Sequence, residues 1–593
     1  MKRLLPRFAL LGCAWATLAH AQGAPADSFS ALVQWQQPNG FEVTPIHMGL
    51  LPNGRLFFVN EYNYDQHPEV NLNNRALNPE FMFTIATTAP FAPTPTSIAI
   101  QPMVNPAPFG PSWSGNTLDV KSLVCSGHVL MADGTLMFAS GSEATIDLGL
   151  YAQGKLNQAL VVKGVSETMF YNPASDTLSV GPSTVVKAPA TQQPLRWYAT
   201  LTRLADKRML LTGGYDNVTP DMSPNTSVEI YDPAARSWSA VSQPANTPQG
   251  LENPDYTHVF QYPYTGTDGS NVVEMIGGSG EAMFLSLSSR GSAWMRTGKY
   301  RPGAMEFING SFPNTVFPNH GAASVLLPLR LPESGWGYGN GSVLYAGGEY
   351  ATELMAHVDV YDVAQNAWRA PMKMHGLRHD PATVLLPDGR VLVLAGHDDM
   401  SFVKLTGYAE YVDPKNNFTV TQGTANMPET RAYHSVAVLL PDGRVVLGGG
   451  NVNGDDLIER QDFRYYYPDY MTKARPQLVV SPATLALGGF GMIAVAHGTQ
   501  VAEAALMGLG SMTHEFDMNQ RLVQLRIFDA HTTLSNQAGA LVPVDPAQCA
   551  GSCVDAYYVQ APGTPQLAPP GDYMLFVLDP NRVPSIGQMV KVQ

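Results

Sequence analysis

The stretch TVLLPDGRVLVLAG at residues 383–396 has two apolar runs on either side of an Asp-Gly turn. Asp-Gly tolerates the positive φ angles of a tight hairpin, and runs rich in Val and Leu are typical of buried strands. The glycine at the end suits a point where backbones crowd together. The stretch predicts a β-hairpin, and its recurrence along the chain decides the fold.

Six further copies of this pattern lie at residues 48–60, 129–141, 201–214, 258–278, 323–348 and 436–450. The segments between them carry a third strand, a turn and a fourth strand, as in Tyr231-Asp232-Pro233 followed by Trp238. Repeated units of four strands are typical of a kelch-type β-propeller, which hides its sheet edges by radial closure. We therefore predict an all-β chain with a seven-bladed kelch-type β-propeller over residues 28–472.

The repeat stops after residue 472, and short apolar runs such as 491–498 and 572–579 follow, separated by turn residues. This pattern is typical of a β-sandwich. We predict a C-terminal immunoglobulin-like β-sandwich over residues 476–593. The 54 Gly and 47 Pro divide the chain into short pieces and agree with a mostly β protein.

Residues 1–21 have a basic start, an apolar run from Phe8 to Leu18 and the small-residue site Ala19-His20-Ala21. This is the pattern of a signal peptide, and Leu10-Leu11-Gly12-Cys13 is a weaker lipoprotein-like alternative. No later run approaches the roughly 20 apolar residues of a membrane helix. We expect an exported protein, secreted or periplasmic, with no membrane span.

The net charge of -14, with 14% charged residues and no basic block, argues against nucleic acid as a partner, because phosphate binding needs clustered Lys and Arg. Cys549 and Cys553 lie four residues apart in a loop-like segment, where an exported protein can keep a local disulfide. Cys125 then stands outside that disulfide, either buried and inert or used chemically.

Four distant segments supply residues that suit one copper ion: Cys125, Tyr198, Tyr433-His434 and His514. Imidazole nitrogens and phenolate oxygens in a tetragonal arrangement suit Cu(II). Cu(II) accepts only one electron, so a two-electron oxidation would need a second oxidant beside the metal, which a protein side chain could supply. None of these residues reaches another through local sequence, so the chemistry requires a fold that gathers distant strand ends.

Several stretches resemble the galactose oxidase and glyoxal oxidase family of copper radical oxidases, with the glyoxal oxidase branch the closer. They are Arg196-Trp197-Tyr198-Ala199-Thr200, Tyr433-His434-Ser435 ahead of LPDGR at 440–444, Thr513-His514 followed by MNQR at 518–521, and APPGDY at 568–573. The resemblance runs from about Leu123 to the C-terminus. It implies one copper per chain, with Tyr198, Tyr433, His434 and His514 as ligands.

The resemblance also implies roles for three of these residues. Cys125 and Tyr198 become joined by a thioether, and Tyr198 holds the radical that abstracts a hydrogen atom. Tyr433 takes a proton from the substrate, and His514 reaches the site from the C-terminal domain. The implied enzyme is a monomeric, secreted oxidase of small aldehydes, with primary alcohols as weaker substrates, that reduces dioxygen to hydrogen peroxide.

Two departures from the family pattern bear on the substrate. Gly213-Gly214 is followed by Tyr215 where galactose oxidase has a stacking tryptophan, so the radical is shielded either by Tyr215 or by an aromatic from another loop. No counterpart of the N-terminal sugar-binding domain is found, which disfavours galactose. The alternative function is a non-catalytic kelch propeller that acts as an extracellular binding or matrix protein. A propeller hydrolase or lyase lacks a convincing carboxylate pair or Ser-His-Asp set.

For several other polar or aromatic residues near the repeats, the sequence allows both a structural and a functional role. Trp197 either packs or lines the pocket, and His128 and His320 are candidates to face the substrate cavity. His397 is followed by Asp398 and Asp399, and adjacent charged residues favour a solvated loop over a metal cluster.

Overall fold

The structure is a computed structural model of the 593-residue chain. It describes residues 27–36, 44–60, 83–86, 97–155, 160–187, 193–217, 223–241, 256–276, 280–288, 291–302, 321–348, 356–398, 407–452, 455–537, 540–549 and 553–593. The predicted signal peptide and His320 lie outside these ranges. No helix within them is both long enough and apolar enough to cross a membrane.

Strands dominate the described residues. The N-terminal part contains β1 (Ser28–Phe29), β2 (Gln34–Gln36), β3 (Pro45–Leu50), β4 (Leu56–Asn60), β5 (Phe83–Ala86), β6 (Ser97–Met103), β7 (Gly110–Ser114) and β8 (Thr117–Ser122). It continues with β9 (Gly127–Leu130), β10 (Leu136–Ala139), β11 (Ser142–Asp147), the short helix α1 (Leu148–Tyr151), β12 (Leu160–Gly164), β13 (Thr168–Asn172) and β14 (Thr177–Val180).

The middle of the chain is also a succession of short strands. It contains β15 (Thr200–Arg203), β16 (Met209–Thr212), β17 (Tyr215–Asn217), β18 (Ser223–Pro224), β19 (Glu229–Asp232), β20 (Ser237–Ala240), β21 (His258–Gln261), β22 (Asn271–Ile276), β23 (Glu281–Ser288) and β24 (Gly291–Tyr300). Next come β25 (Ala322–Leu326), β26 (Val343–Gly347), β27 (His357–Asp362), β28 (Ala367–Trp368), β29 (Met372–Lys373), β30 (Ala382–Leu385), β31 (Val391–Leu394), β32 (Tyr408–Asp413), β33 (Thr419–Asn426), β34 (Ser435–Leu439), β35 (Val445–Gly449), β36 (Asn451–Val452), β37 (Asp455–Glu459) and β38 (Phe463–Tyr467).

The C-terminal part is again made of strands. It contains β39 (Leu478–Val480), β40 (Thr484–Leu485), β41 (Phe490–Ala496), β42 (Glu503–Gly508), β43 (Ser511–Thr513), β44 (Phe516–Asp517), β45 (Leu522–Gln537), β46 (Ala540–Pro543), β47 (Cys553–Gln560), β48 (Gly571–Leu578) and β49 (Gln588–Val592). Short 3-10 turns lie at Pro332–Ser334, Pro414–Asn416, Asp469–Thr472 and Pro546–Gln548.

Seven sheets of the described chain are each built around four strands. They are β3–β6, the set β9, β10, β13 and β14, the set β15, β16, β19 and β20, then β21–β24, β25–β28, β30–β33, and finally β34, β35, β38 and β1. Five contain only these four, the sheet of β3–β6 also contains β2, β43 and β44, and the sheet of β25–β28 also contains β29. The first strands of neighbouring sheets touch, as β9 does with β15 and β30 with β34, and β34 in turn touches β3. The all-β prediction is confirmed. The count of seven blades stays a prediction of the repeats, to which these seven sheets correspond.

Each quoted repeat forms the hairpin that opens a sheet. The stretch 383–396 gives β30 and β31, with Ala382 opposite Leu394 and Leu385 opposite Val391. Gly389 in its turn has φ +82°, and a Cβ there would lie 2.5 Å from the Trp336 ring. The apolar side chains of these strands are buried, which explains the near-continuous apolar runs of the sequence.

Two features of the sheets were not anticipated from the sequence. The last sheet is completed by the N-terminal strand β1, which pairs with β38 so that Ser28 lies opposite Tyr467. The segments between the early repeats also form a separate six-stranded sheet of β18, β17, β12, β11, β8 and β7.

The C-terminal strands form two sheets that share β45. One contains β39, β41, β47, β45 and β46, and the other contains β45, β42, β48, β49 and β40. Ile493 and Val559 of the first sheet pack with Leu506 and Leu575 of the second in one buried core. This arrangement confirms the predicted β-sandwich. The predicted disulfide between Cys549 and Cys553 is also present.

The hairpin β43–β44 leaves the sandwich and joins the propeller. Strand β43 pairs with β3, so that His47 lies opposite Thr513 and Gly49 opposite Ser511. The hairpin also touches the first strands β9, β25, β30 and β34. It therefore occupies the space that the first strands surround.

Three of the sheets anchor the turn before their first strand in the same way. An arginine four residues ahead of the strand is fully buried and pairs with a buried or nearly buried acid. The pairs are Arg196–Glu229 at 2.9 Å, Arg378–Glu410 at 3.1 Å and Arg431–Asp462 at 2.5 Å. Each guanidinium also donates to a backbone carbonyl, of Gly213, Ala395 and Gly449 respectively. Buried charges persist in proteins only when they are paired in this manner.

Glu229→Gln is expected to lower the free energy of unfolding by about 3–5 kcal/mol, because it leaves the Arg196 charge buried without its counter-charge. The measurement is urea unfolding followed by tryptophan fluorescence. Glu333→Gln is the control, since Glu333 and Arg526 form an exposed pair, 52% and 46% accessible. Its effect should stay below about 1 kcal/mol. Equal effects of the two variants would contradict the anchoring role.

Candidate metal centre

The residues predicted to bind copper lie in turns before the first strands or at the hairpin tip. Cys125 precedes β9 by two residues, Tyr198 precedes β15 by two, and Tyr433 precedes β34 by two. His434 follows Tyr433, and His514 lies between β43 and β44. First strands of a propeller run in the same direction around the axis, so the turns before them lie on one face.

The four predicted ligands meet at this face. The hydroxyls of Tyr198 and Tyr433 are hydrogen-bonded to each other. The centroid of the His514 ring is 4.8 Å from that of Tyr198, 5.1 Å from that of Tyr433 and 4.5 Å from that of His434. Two phenols from different sheets, one imidazole beside them and one imidazole from the C-terminal domain thus form a single cluster.

The hairpin around His514 fixes both the position and the tautomer of its ring. Thr513 Oγ1 donates its proton to the Ile46 carbonyl at 2.8 Å and lies 2.5 Å from His514 Nδ1. Because the hydroxyl proton is already used, Oγ1 accepts from an Nδ1–H. The lone pair is then on Nε2. This is the tautomer that a metal-binding imidazole needs, with its other nitrogen held by a polar neighbour.

Four of the five predicted site residues adopt left-handed backbone angles. The φ values are 61° for Cys125, 65° for Tyr198, 68° for His434 and 42° for His514. Non-glycine residues seldom adopt such angles, and the strain tends to collect at functional sites. The Tyr198 amide donates to the Cys125 carbonyl at 2.9 Å, which holds the two turns side by side. Cys125 itself is buried.

Two buried histidines support the site from below. His47 of β3 accepts the Cys125 amide at Nε2 with a distance of 3.0 Å, and its ring centroid is 6.0 Å from that of His514. Burial is the main cause that holds the pKa of His47 well below its usual range. His47 was missed from the sequence, although a histidine within the apolar strand Pro45–Leu50 is a usable signal.

The structure does not support His128 as a cavity residue. His128 lies fully buried in β9, with Nδ1 2.6 Å from the Ser511 hydroxyl and its ring centroid 4.9 Å from that of His47. Burial lowers the pKa of His128 to about 3, so the ring is neutral. His128 links the β43–β44 hairpin to the sheet that begins with β9, and it does not face a substrate cavity.

Aromatic rings cover Tyr198 on two sides. The Trp197 ring centroid lies 3.8 Å from that of Tyr198 at 44°, and the Tyr256 centroid lies 5.0 Å away at 64°. Tyr215 packs behind, with its centroid 6.0 Å from that of Trp197. The rings that cover Tyr198 are thus those of Trp197, its neighbour in sequence and not one of the two alternatives, and of Tyr256, which belongs to another loop; the geometry favours both over Tyr215.

Tyr256 was not found by sequence reasoning. Its amide donates to the Tyr198 carbonyl at 3.0 Å, and its ring centroid is 4.8 Å from that of His514. It precedes β21 by two residues, as Tyr198 precedes β15. That shared position is the signal that identifies it, but the degenerate repeat at 258–278 hides the register until the strands are known.

The donor set fits a copper ion chemically. Two imidazoles and two phenols offer nitrogen and oxygen ligands of the kind that Cu(II) prefers. The buried surroundings, built of aromatic rings and neutral histidines, limit access of water to the cluster.

Comparisons with known proteins agree with this architecture. Residues 475–592 match the family described as Galactose oxidase-like, Early set domain. Galactose oxidase of Gibberella zeae is 24% identical over 454 residues, which cover 74% of this chain and 59% of that protein. Aldehyde oxidase GLOX1 of Arabidopsis thaliana is 23% identical over 527 residues, which cover 80% of this chain and 73% of that protein. The chain therefore spans less than two thirds of the galactose oxidase length.

A solved structure shares the fold. It is a fungal alcohol oxidase, described as having catalytic diversity among the AA5 family and as being in complex with copper. The TM-score is 0.64 at 15% identity, and the match covers 96% of this chain and all of that one. These findings confirm the resemblance drawn from the motifs: the chain is related to galactose oxidase and to aldehyde oxidase GLOX1, and it ends in a galactose oxidase-like early set domain.

Proposed function

We propose that this protein is a secreted, monomeric copper radical oxidase that oxidises small aldehydes, and primary alcohols more weakly, with dioxygen. The observation that carries the proposal is the meeting of His514 with Tyr198, Tyr433 and His434, three ring contacts between residues far apart in sequence. The relatives named as oxidases, and the copper in the related alcohol oxidase structure, support it.

Tyr198, Tyr433, His434 and His514 would hold the copper ion, with His514 ligating through Nε2. Copper supplies a one-electron couple, which alone is not sufficient for a two-electron oxidation. We assign the role of the second one-electron oxidant to a radical on Tyr198. A thioether from Cys125 to the Tyr198 ring donates electron density and lowers the potential at which that radical forms.

The protein's own residues divide the reaction into two transfers. The Tyr433 phenolate accepts the proton of the substrate hydroxyl, or of one hydroxyl of a hydrated aldehyde. The Tyr198 oxygen then accepts the hydrogen atom from the substrate carbon. Two electrons and two protons leave the substrate in total, and dioxygen takes both as hydrogen peroxide. The hydrogen bond between the two phenols keeps their oxygens on the same side of the site.

The expected product depends on the substrate, a carboxylic acid from an aldehyde and an aldehyde from an alcohol. Aldehydes are placed first because GLOX1 is named an aldehyde oxidase. The predicted leader at residues 1–21 supports secretion.

The second candidate function is a non-catalytic extracellular propeller. Its only specific support is the repeat architecture, which also serves binding proteins. A binding protein gains nothing from four left-handed residues around two phenols and two imidazoles, so the oxidase is preferred.

Copper loading in air is expected to remove two hydrogens from the intact protein and to join the Cys125 and Tyr198 peptides. One S–C bond forms while one S–H and one C–H bond break, and dioxygen takes the two electrons and two protons. The measurement is intact-protein mass spectrometry followed by peptide mapping. Cys125→Ser is the control and should keep its full mass. An unchanged mass of the wild-type protein would contradict the proposed thioether between Cys125 and Tyr198.

Tyr198→Phe should retain copper, because three ligands remain, but should release no hydrogen peroxide, because the ring can no longer form the radical. Copper content by elemental analysis and the Cu(II) EPR signal report on binding, and a peroxidase-coupled assay with methylglyoxal or glyoxal reports on turnover. Wild-type rates in this variant would contradict the assignment of the radical.

Trp197→Leu should shorten the lifetime of the radical while leaving the copper content unchanged. A well-packed aromatic pair worth about 1 kcal/mol corresponds to about a fivefold change. The decay of the radical absorbance after oxidation measures this directly. Tyr215→Leu is the matched comparison, since Tyr215 lies behind Trp197. A larger effect at Tyr215 than at Trp197 would reverse the assignment of the shield.

A further inference from the structure

A second cluster of metal-binding side chains lies beside β30. Asp380 Oδ2 is 2.8 Å from His379 Nδ1 and 3.2 Å from His397 Nε2. All three residues are buried, and one potential ligand atom from each lies within 4.8 Å of the others. The prediction of a solvated loop at His397 is wrong. Its side chain is 1% exposed, because its backbone pairs in both directions with that of His379.

The cluster occupies the same place in its sheet as the proposed copper ligands in theirs. Asp380 precedes β30 by two residues, as Tyr198 precedes β15 and Tyr433 precedes β34. Asp380 has φ 54°, close to the 65° of Tyr198. Its amide donates to the Gly321 carbonyl at 2.9 Å, as that of Tyr198 donates to Cys125. The fold therefore presents Asp380 at the same face, in the sheet next to that of Tyr433.

A glycine leaves the space that the cluster needs. Gly321 has φ +63°, and a Cβ there would lie 2.5 Å from His379 Nε2 and 2.9 Å from Asp380 Oδ1. Any larger residue would displace the ring and the carboxylate. Gly321 directly precedes β25, so the cluster joins two neighbouring sheets.

The chemistry of the three groups matches a zinc-type ion. Imidazole nitrogens and a carboxylate oxygen are common Zn²⁺ ligands, and ligands at bonding distance in a tetrahedral site lie about 3.3 Å from one another. The two separations from Asp380, 2.8 and 3.2 Å, are at or below that value, and the two imidazole nitrogens lie within 4.8 Å of each other, so the three groups are close enough to share one ion. Three protein ligands also leave a fourth position for water or a small oxygen ligand, as in catalytic zinc sites.

We propose that His379, Asp380 and His397 form a second metal site, separate from the copper centre, that binds Zn²⁺. Arg378, the residue before His379, pairs with Glu410 and anchors this turn, and Gly321 leaves the space that the His379 ring occupies. It does not depend on the oxidase activity, because none of its ligands belongs to the proposed copper centre.

The test uses the full-length protein loaded first with one copper per chain and then equilibrated with Zn²⁺. Elemental analysis should find one zinc in addition to the copper. Asp380→Asn and His397→Gln should each lower the zinc affinity by more than about 100-fold, because loss of a residue that only supports a ligand lowers metal affinity by up to about that factor. The Cu(II) EPR spectrum should not change in either variant. Using two variants guards against one that fails to fold, and circular dichroism checks both.

His375→Asn is the matched control. His375 lies close by in sequence and is paired with Glu410, but its side chain is 47% exposed and outside the cluster. This variant should bind zinc as the wild type does. His514→Gln separates the two proposals, because it removes a copper ligand and should leave zinc binding intact.

Three results would overturn the site. The first is that the copper-loaded wild type binds no zinc. The second is that Asp380→Asn and His397→Gln both bind zinc with the affinity of the wild type. The third is that His514→Gln no longer binds zinc.

Discussion

The backbone ladder between β3 and β43 is the interaction on which the proposed copper centre depends. It joins the first sheet of the propeller to a hairpin of the C-terminal domain, so that residues more than 460 positions apart are paired, as His47 is with Thr513. Without this pairing, His514 would have no fixed relation to Tyr198 or His434. The same strand supplies His47, which accepts the amide of Cys125. One short ladder thus orients both an imidazole ligand and the cysteine turn.

Around that ladder, the repeats supply equivalent positions that the chain fills with different chemistry. The residue two before each first strand is Cys125, Tyr198, Tyr256, Asp380 or Tyr433 in the sheets where the turn is described. Buried arginine–acid pairs fix three of these turns. A rigid scaffold with variable turns on one face allows the proposed copper site and the proposed zinc site to lie in neighbouring sheets, in accordance with the general rule that function resides in loops on a stable frame.

Much of this could be predicted from local sequence. The recurring hairpin pattern indicates where the sheets start, and Tyr198, Tyr433, His434 and His514 stand in recognisable motifs. What could not be predicted depends on pairing between distant segments. Burial of His397 follows from its backbone pairing with His379, and the six-stranded sheet follows from pairing among insertions. Tyr256 and His47 lie just ahead of the repeats at 258–278 and 48–60, where the period is too irregular to assign a register.

The pairing of β1 with β38 ties the order of synthesis to the order of assembly. Ser28 and Phe29 are among the first residues of the described chain, but their partners are Tyr467 and Tyr466. A nascent chain must therefore keep its leading strand unsatisfied until nearly the whole ring has been made. Such high contact order slows folding and exposes an unprotected edge, which makes chaperoning of the emerging polypeptide more important for this architecture than for one built from local contacts.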